Sequence, residues 1–405
     1  MAKEKKTTRW TRPRHRVITE LARWVLGPYV RLRYGVRAEK FRPGDGRPYL
    51  VLANHQTGMD QFILGLVIPG PVYYLASEDL LSNGFVSRLL HWAVAPIPIK
   101  KQTSDLAAVR NCIRVAREGG TIAISPEGNR TYGGRPCYIK PAIAKLARSL
   151  KMPVAFLRIE GGFGVHPRWS DCIRRGPMRA YVSRVMEPEE LRAMTDEQLY
   201  VLMQEELWQD EATADGPYRH KNAAEYLERA MYVCPFCGLS EFESHGDIIA
   251  CKRCGRKIRY TPTKELKGIG FSFPHRFAAD WYDAQCDFIN HLDVTAWTQT
   301  PLYEDRVRLY KVLLYRSKKR IDKNARIRLY GDRIEMDTTG ATITLPFDEI
   351  SVITVLGRNK LNIYHGDDVY QFKSHKRFNA LKYMNIYFRA KHLRKGDTND
   401  EFLGL

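Results

Sequence analysis

The stretch "YLVLANHQTGMD", residues 49–60, sets an apolar run against a histidine and an aspartate five positions apart. Tyr49-Leu-Val-Leu reads as a buried strand, and the polar residues after it read as the loop at the strand's end. On a regular helix, five steps leave two side chains about 140° apart, and on a strand an odd step puts them on opposite faces. His55 and Asp60 therefore meet only if the chain turns between them. Apolar runs of the same kind recur at 72–76, 95–99, 121–125, 153–159 and 179–185. Helical periodicity fills the gaps at 60–67, 85–94, 105–118 and 140–150, the third of these stopping at Gly119-Gly120. Short strands alternating with helices predict an α/β domain with a mostly parallel sheet, whose active sites sit in loops just beyond strand ends. His55 occupies such a loop. So does "SPEGNRT", residues 125–131, which directly follows the strand Thr121-Ile-Ala-Ile.

The whole chain has 405 residues, 44% of them hydrophobic, enough for two or three domains with their own cores. No apolar run approaches about 18 residues, so a spanning helix is not expected. The start, MAKEKKTTRW, runs into further arginines without a short apolar region, which argues against a secretory signal. The expectation is a cytoplasmic protein at the inner face of a membrane, with its eight cysteines present as thiols or metal ligands. The formal charge is +20. Residues 1–42 hold 13 Lys and Arg against three Glu, and "VITELARWVLGPYVRLRYGV" alternates apolar and basic positions at helical spacing. An amphipathic basic stretch of this kind suits an anionic membrane surface. The same pattern also fits an ordinary packing helix behind a solvated tail, or a nucleic-acid binder.

His55-Gln-Thr-Gly-Met-Asp60, followed about 65 residues later by Ser125-Pro-Glu-Gly-Asn-Arg-Thr131, resembles two sequence blocks of the glycerolipid acyltransferases, the lysophosphatidic acid acyltransferase family. The resemblance covers roughly residues 20–210. "APIPIKK", residues 95–101, resembles a third block with Lys101 where the family has arginine. "MPVAFLRI", residues 152–159, resembles a fourth with Phe156 in place of a second proline. The resemblance implies transfer of a fatty acyl group from acyl-CoA or acyl carrier protein to the hydroxyl of a lysophospholipid such as 1-acylglycerol-3-phosphate. It also implies that Glu127 arranges the acceptor site.

The chemistry accounts for the residue types independently. Acyl transfer to an alcohol needs a base for the hydroxyl and a group that orients that base. His55 has the ordinary pKa range for the first task, and Asp60 suits the second. Gly58 leaves room for the turn between them. Thr57-x-x-Asp60 also fits a helix capping box, the competing structural reading. A phosphate on the acceptor calls for a guanidinium and backbone donors, which Arg130 and the Gly128-containing loop offer, with Glu127 facing the same cleft and Lys100 or Lys101 adding charge. The competing reading for Glu127 and Arg130 is an ion pair within a turn.

"CPFCG", residues 234–238, and "CKRCG", residues 251–255, form a C-x₂-C-x₁₃-C-x₂-C pattern resembling a zinc ribbon. Cys234, Cys237, Cys251 and Cys254 would saturate tetrahedral zinc, making the metal structural, with iron the alternative. Cys112, Cys137, Cys172 and Cys286 lack any such spacing. Beyond 300, short alternating runs broken by Tyr330-Gly-Asp and His365-Gly-Asp precede a helical tail. Six or seven strands closed by one helix resemble a pleckstrin-homology or GRAM domain.

These readings divide the chain into a basic amphipathic segment (1–45), an acyltransferase domain (46–212), a linker helix (213–230), a zinc ribbon (231–260), a second linker helix region (261–300) and a β-rich domain (301–395). The expected partners are a lysophospholipid acceptor, an acyl donor and an anionic membrane surface. The alternative is a non-catalytic protein binding membrane or nucleic acid through its basic segments and ribbon. The blocks around His55 and Arg130 favour the enzyme, and nucleic acid is not an expected partner.

Overall fold

The computed structural model describes residues 9–77, 84–99, 106–312 and 318–396. The chain opens with helix α1 (Pro13–Tyr34), whose first turn Pro13 suits because its missing N–H needs no partner there. Strand β1 (Val36–Ala38) follows at once, and then β2 (Leu50–Ala53), α2 (Asp60–Val67), β3 (Val72–Ser77), α3 (Phe85–Val94), β4 (Ile97–Ile99), α4 (Leu106–Arg117), β5 (Thr121–Ile124), α5 (Ala142–Leu150) and β6 (Val154–Glu160). A one-turn helix α6 (Gly162–Val165), strand β7 (Met178–Met186) and helices α7 (Pro188–Ala193) and α8 (Asp196–Leu207) complete the unit.

Among the described residues, seven strands form one sheet in the order β1-β7-β6-β2-β5-β3-β4. The five from β6 to β4 run parallel, while β7 pairs antiparallel with β6 and carries β1 parallel to itself at the edge. β1 comes from the basic segment at 1–45, so residues 36–38 of that segment are built into the sheet. β2 lies between β5 and β6 and is buried on both faces. Leu50 and Leu52 pack towards the side holding Cys112, Ala144 and Ala147, whereas Val51 and Ala53 pack towards Val30, Ile63 and Val67. A strand covered by helices on both faces has to be apolar throughout, hence the unbroken run Leu50-Val-Leu-Ala. The loops after β5, β2 and β6 consequently leave the sheet side by side.

The segment expected as a linker helix over 213–230 is irregular apart from a single 3₁₀ turn at Leu227–Arg229. Its backbone groups go to neighbours instead of to each other. The Tyr218 N–H donates to the Pro262 carbonyl (2.7 Å), and Arg219 exchanges two bonds with Arg175 (2.7 and 3.0 Å). Pro217, which has no N–H to give, sits inside the stretch. Tyr218 fills a slot against Gly164 and Gly176, where an added Cβ would lie 2.4 and 2.2 Å from the ring.

The second half of the chain is rich in β-structure. β8 (Val233–Cys234) pairs with β9 (Gly238–Leu239), and β10 (Phe242–His245), β11 (Ile248–Cys251), β12 (Lys257–Tyr260) and β13 (Leu266–Gly268) form an antiparallel meander. Helix α9 (Ala278–Asn290) packs on β8: the Trp281 Nε1–H donates to the Val233 carbonyl (2.8 Å), and Gln285 Oε1 accepts from the N–H groups of Tyr232 and Val233 (2.7 and 3.1 Å). The seven strands β14 (Tyr303–Lys311), β15 (Lys319–Leu329), β16 (Arg333–Asp337), β17 (Thr342–Pro346), β18 (Ile350–Leu356), β19 (Lys360–His365) and β20 (Asp368–Ser374) then form a second, wholly antiparallel sheet, joined through β14 to β20. Helix α10 (Leu381–Lys395) packs against β18.

One apolar core runs from Tyr132, Phe163 and Trp169 of the first half through Trp281 into Ile327 and Ile353 of the second sheet. Arg229, buried at this junction, donates to the carbonyls of Trp169 and Lys376 (2.8 and 2.5 Å) and pairs with Asp171 at 2.7 Å. Asp171 is part-exposed and keeps Arg358 as a partner, so truncating Arg229 chiefly leaves the Trp169 and Lys376 carbonyls without their donor. Arg229→Ala is therefore expected to lower stability by about 1–3 kcal/mol, read as a reduced urea midpoint of the full chain.

Candidate functional site

The site begins with Asn54, the residue after β2. Its amide donates to the Ile159 carbonyl and its Oδ1 accepts from the Ile159 N–H, both at 2.8 Å, so a buried side chain mimics one more rung of pairing with β6. This holds the end of β2 while the chain turns. Asp60 is the first residue of α2 and is only 2% exposed. Its Oδ2 accepts from the Gln56 N–H (2.7 Å) and lies 2.7 Å from His55 Nδ1. Its Oδ1 accepts from the Thr57 N–H (2.9 Å) and the Thr57 hydroxyl (2.7 Å). The chain between His55 and Asp60 is thus wound around one carboxylate, and the five-residue spacing is what that winding requires. The capping-box reading is met in part: Asp60 does reach back to Thr57, but no side chain caps α2.

Asp60 accepts from Nδ1, so the neutral imidazole carries its lone pair on Nε2, and the His55 side chain is 27% exposed. Gly58 does not have the positive φ that would make glycine obligatory. An added Cβ there would lie 3.6 Å from Arg130 Nη1, ordinary contact, so the tight quarter is for larger side chains.

Ser125 to Gly128 form a turn closed by the Gly128 N–H donating to the Ser125 carbonyl at 2.9 Å, with Gly128 at a φ of +66°. Glu127 is buried inside the turn and makes no ion pair with Arg130. Its Oε1 accepts from the His55 N–H and its Oε2 from the Cys137 N–H, both at 2.9 Å. It is a clamp joining the loop after β2 to the loop after β5, and the Thr131 N–H adds a longer bond to the His55 carbonyl (3.4 Å). Burial pushes the Glu127 carboxyl up to about 8, against the pull of its two N–H donors. Arg130 is half-buried, and its Nη1 is wholly shielded without a hydrogen-bond partner. Burial, followed by the charges of Arg168 and Arg358, lowers its pKa to about 10. Lys100 and Lys101 lie outside the described residues.

Three contributors had no signal in the sequence. Tyr34, at the end of α1, lies 3.2 Å from His166 Nδ1, and Arg358, far along the chain, lies 3.2 Å from His166 Nε2. A guanidinium only donates, so Nε2 accepts and the proton sits on Nδ1, pointing at the Tyr34 oxygen. Burial holds His166 down at about 3, helped by the charges of Arg130 and Arg358.

The four knuckle cysteines form a separate cluster with all four Sγ atoms within 4.8 Å of one another. The Cys234–Cys254 and Cys237–Cys251 separations are 3.8 and 3.7 Å. A tetrahedron of thiolates about 2.3 Å from zinc has edges of about 3.8 Å, so the set fits that ion. Each knuckle closes on a glycine of positive φ, Gly238 (+73°) and Gly255 (+71°). With four thiols engaged, a metal there has no open coordination position.

Residues 34–160 match the family model described as Acyltransferase. This part of the chain is similar to the acyltransferases. The chain is 28% identical over 134 residues to human 1-acyl-sn-glycerol-3-phosphate acyltransferase alpha, an alignment covering 31% of this chain and 46% of that protein. It thus spans about half the length of the mammalian relatives it matches. It is 20% identical over 180 residues to the 1-acyl-sn-glycerol-3-phosphate acyltransferase of Bacillus subtilis, covering 44% of this chain and 86% of that one. The 1-acyl-sn-glycerophosphate (LPA) acyltransferase PlsC from Thermotoga maritima, a crystal structure, aligns with 48% of this chain and 91% of its own at 20% identity and a TM-score of 0.37. The acyltransferase match ends at Glu160 and so leaves out the cysteine cluster and the second sheet.

Glu127 offers a test of the clamp with a defined sign. Its carboxyl holds its proton more tightly folded than unfolded, so the stability it contributes is full below about pH 4.5 and is lost as pH rises through about 8. Glu127→Gln does not titrate. The urea midpoint of wild type minus that of Glu127→Gln is expected to fall between pH 5 and pH 8, and a flat difference would contradict the assignment.

Proposed function

We propose that the protein is an O-acyltransferase that moves a fatty acyl group from acyl-CoA or acyl carrier protein to the hydroxyl of a lysophospholipid such as 1-acylglycerol-3-phosphate, in phospholipid synthesis or remodelling. The observation that carries this reading is the bond between buried Asp60 and His55 Nδ1, which turns the basic Nε2 outward from the end of β2. His55 Nε2 takes the proton of the acceptor hydroxyl as its oxygen attacks the thioester carbonyl. The tetrahedral intermediate collapses with cleavage of the C–S bond, and the imidazolium returns the proton to the departing thiolate. Asp60 holds the reactive tautomer and stabilises the imidazolium between the two steps. Arg130, with its unpaired and shielded Nη1, is the group for the acceptor phosphate. Glu127 positions the His55 backbone, and Gly128 lets the Arg130 loop turn tightly.

The acceptor and the product are amphiphiles, and the surface supports work at a bilayer. Along α1, Leu21, Trp24, Val25, Tyr29 and Leu32 are exposed, Trp24 by 79% and Leu32 by 86%. Phe85, Val86, Leu89 and Trp92 of the adjoining α3 are exposed as well, and Arg14 of α1 bonds to the Trp92 carbonyl at 3.0 Å. Apolar side chains flanked by Arg16, Arg31 and Arg33 suit insertion at the headgroup level of an anionic bilayer. Among the described residues, no helix is long and apolar enough to cross a membrane. Residues 231–260 are read as a ribbon held by structural zinc, and 301–395 as a module resembling pleckstrin-homology or GRAM domains.

His55→Ala is expected to abolish acylation of 1-acylglycerol-3-phosphate by acyl-CoA, while Asp60→Asn leaves a small residual rate, as resolved by thin-layer chromatography of radiolabelled product. Near-normal turnover by folded His55→Ala protein would overturn the mechanism. The Cys234→Ser, Cys237→Ser double variant is expected to lose zinc by atomic absorption and to become protease-sensitive around residues 231–260. The cysteines border the apolar core shared with Trp169 and Trp281, so the thermal midpoint of the whole chain is expected to drop as well.

A further inference from the structure

The hairpin turn between β18 and β19, Gly357-Arg358-Asn359, belongs to the second sheet, yet it lies against the loop that carries Arg130. A single buried guanidinium holds the two together. Arg168 donates through Nη1 to the Arg130 carbonyl (3.0 Å), through Nε to the Gly357 carbonyl (3.0 Å) and through Nη2 to the Val355 carbonyl (2.9 Å). Asn359 secures the other side of the turn by donating to the His375 and Lys376 carbonyls (3.1 and 3.2 Å). The turn is thereby fixed within one guanidinium's reach of Arg130.

Arg358, at its tip, is 39% exposed, lies 3.1 Å from Asp171 and donates to neutral His166. The charges in this quarter do not balance. Arg130, Arg168 and Arg358 bring three guanidiniums together. Of the nearby carboxylates, Asp60 is occupied by four donors of its own turn, and Asp171 is shared with buried Arg229. Like charges gathered in a partly shielded place repel, and an anion contributed by a ligand relieves that repulsion. Arg130 offers a donor with no partner, and Arg358 offers a fork that is only partly engaged. Two guanidiniums addressing different oxygens suit a phosphate monoester, which carries more acceptor oxygens and more charge than a carboxylate.

We infer that Arg358, supplied from more than two hundred residues beyond Arg130 by the β18–β19 turn, is a second cationic anchor for the phosphate of the acceptor, so that the last sheet of the chain completes the binding site of the first. The inference rests on the acyltransferase reading and deepens it. It makes Arg358 a specificity-determining residue, one that rewards acceptors with a phosphomonoester over those without.

The test is made on the full chain with Arg358→Gln and Arg358→Lys, each beside wild type, using 1-acylglycerol-3-phosphate and the phosphate-free 1-acylglycerol as acceptors. Arg358→Gln is expected to reduce the preference for the phosphorylated acceptor, as a ratio of kcat/KM values, by about 10- to 100-fold. The change should fall on the acceptor KM far more than on the acyl-CoA KM. Arg358→Lys keeps the charge without the fork, and it is expected to lose less; if the glutamine variant fails to fold, a several-fold loss of preference in the lysine variant decides the matter. Equal loss with both acceptors, or a change confined to the acyl-CoA KM, would show that Arg358 is a strut or a donor contact and overturn the inference. Wild type that acylates neither acceptor would overturn the proposed function instead. Calorimetry with inorganic phosphate then judges the anion site by itself: binding by wild type that weakens in Arg358→Gln supports it, and binding that is absent or unchanged refutes it.

Discussion

Asp60 places one carboxylate, almost wholly shielded from water, at the point where β2 gives way to α2, and an anion cannot be kept there unless its oxygens are satisfied. Four donors meet that demand: His55 Nδ1, two backbone N–H groups and the Thr57 hydroxyl. The bonds determine the path of the chain from 55 to 60, the start of α2 and the tautomer of the histidine together. A structural need and a chemical one are met by the same contacts, and for that reason the turn reads from sequence as either a helix start or a catalytic pair.

Around this turn the site is assembled by polar side chains that act on backbone. Asn54 ties the end of β2 to β6, Glu127 ties His55 to Cys137, and Arg168 ties the Arg130 loop to the β18–β19 turn. Each joins loops that have no regular pairing of their own. Loops bearing chemistry must be both exposed and held still, and buried polar side chains accomplish the second without adding apolar bulk to the cleft.

The second half of the chain is more than an appendage. The cysteine cluster borders a core continuous with Trp169 and Trp281, and Arg229 joins Asp171 to the segment just before α10. A four-cysteine unit too small to bury a core of its own gains one by sharing. The same packing carries Arg358 to the edge of the first site, which gives the later domain a physical route to influence what the earlier one binds.

Local pattern was enough to read the strands β2 to β7 and the helices α2 to α5, because each is a short apolar run or a periodic stretch bounded by turn residues. The four cysteines, and the pairing of His55 with Asp60, were legible for a similar reason: their spacing is a covalent fact of the chain, and only one kind of turn satisfies it. Gly216-Pro217 was a local signal against the helix expected at 213–230, and its neighbours' exchange of bonds with Arg175 and Pro262 was not. Arg130 stands in a legible block, but Arg168, His166 and Arg358 are ordinary residues in the sequence, up to 228 positions from it. Nothing in spacing or composition links them, since what brings them together is the burial of two sheets against one core. Sequence alone therefore determined most elements of the first sheet, the spacing of the four cysteines and the pairing of His55 with Asp60. Which distant cations gather beside Arg130, and that Glu127 serves backbone instead of pairing with Arg130, were decided by tertiary packing, because only there does the cost of an unpaired buried group select its partner.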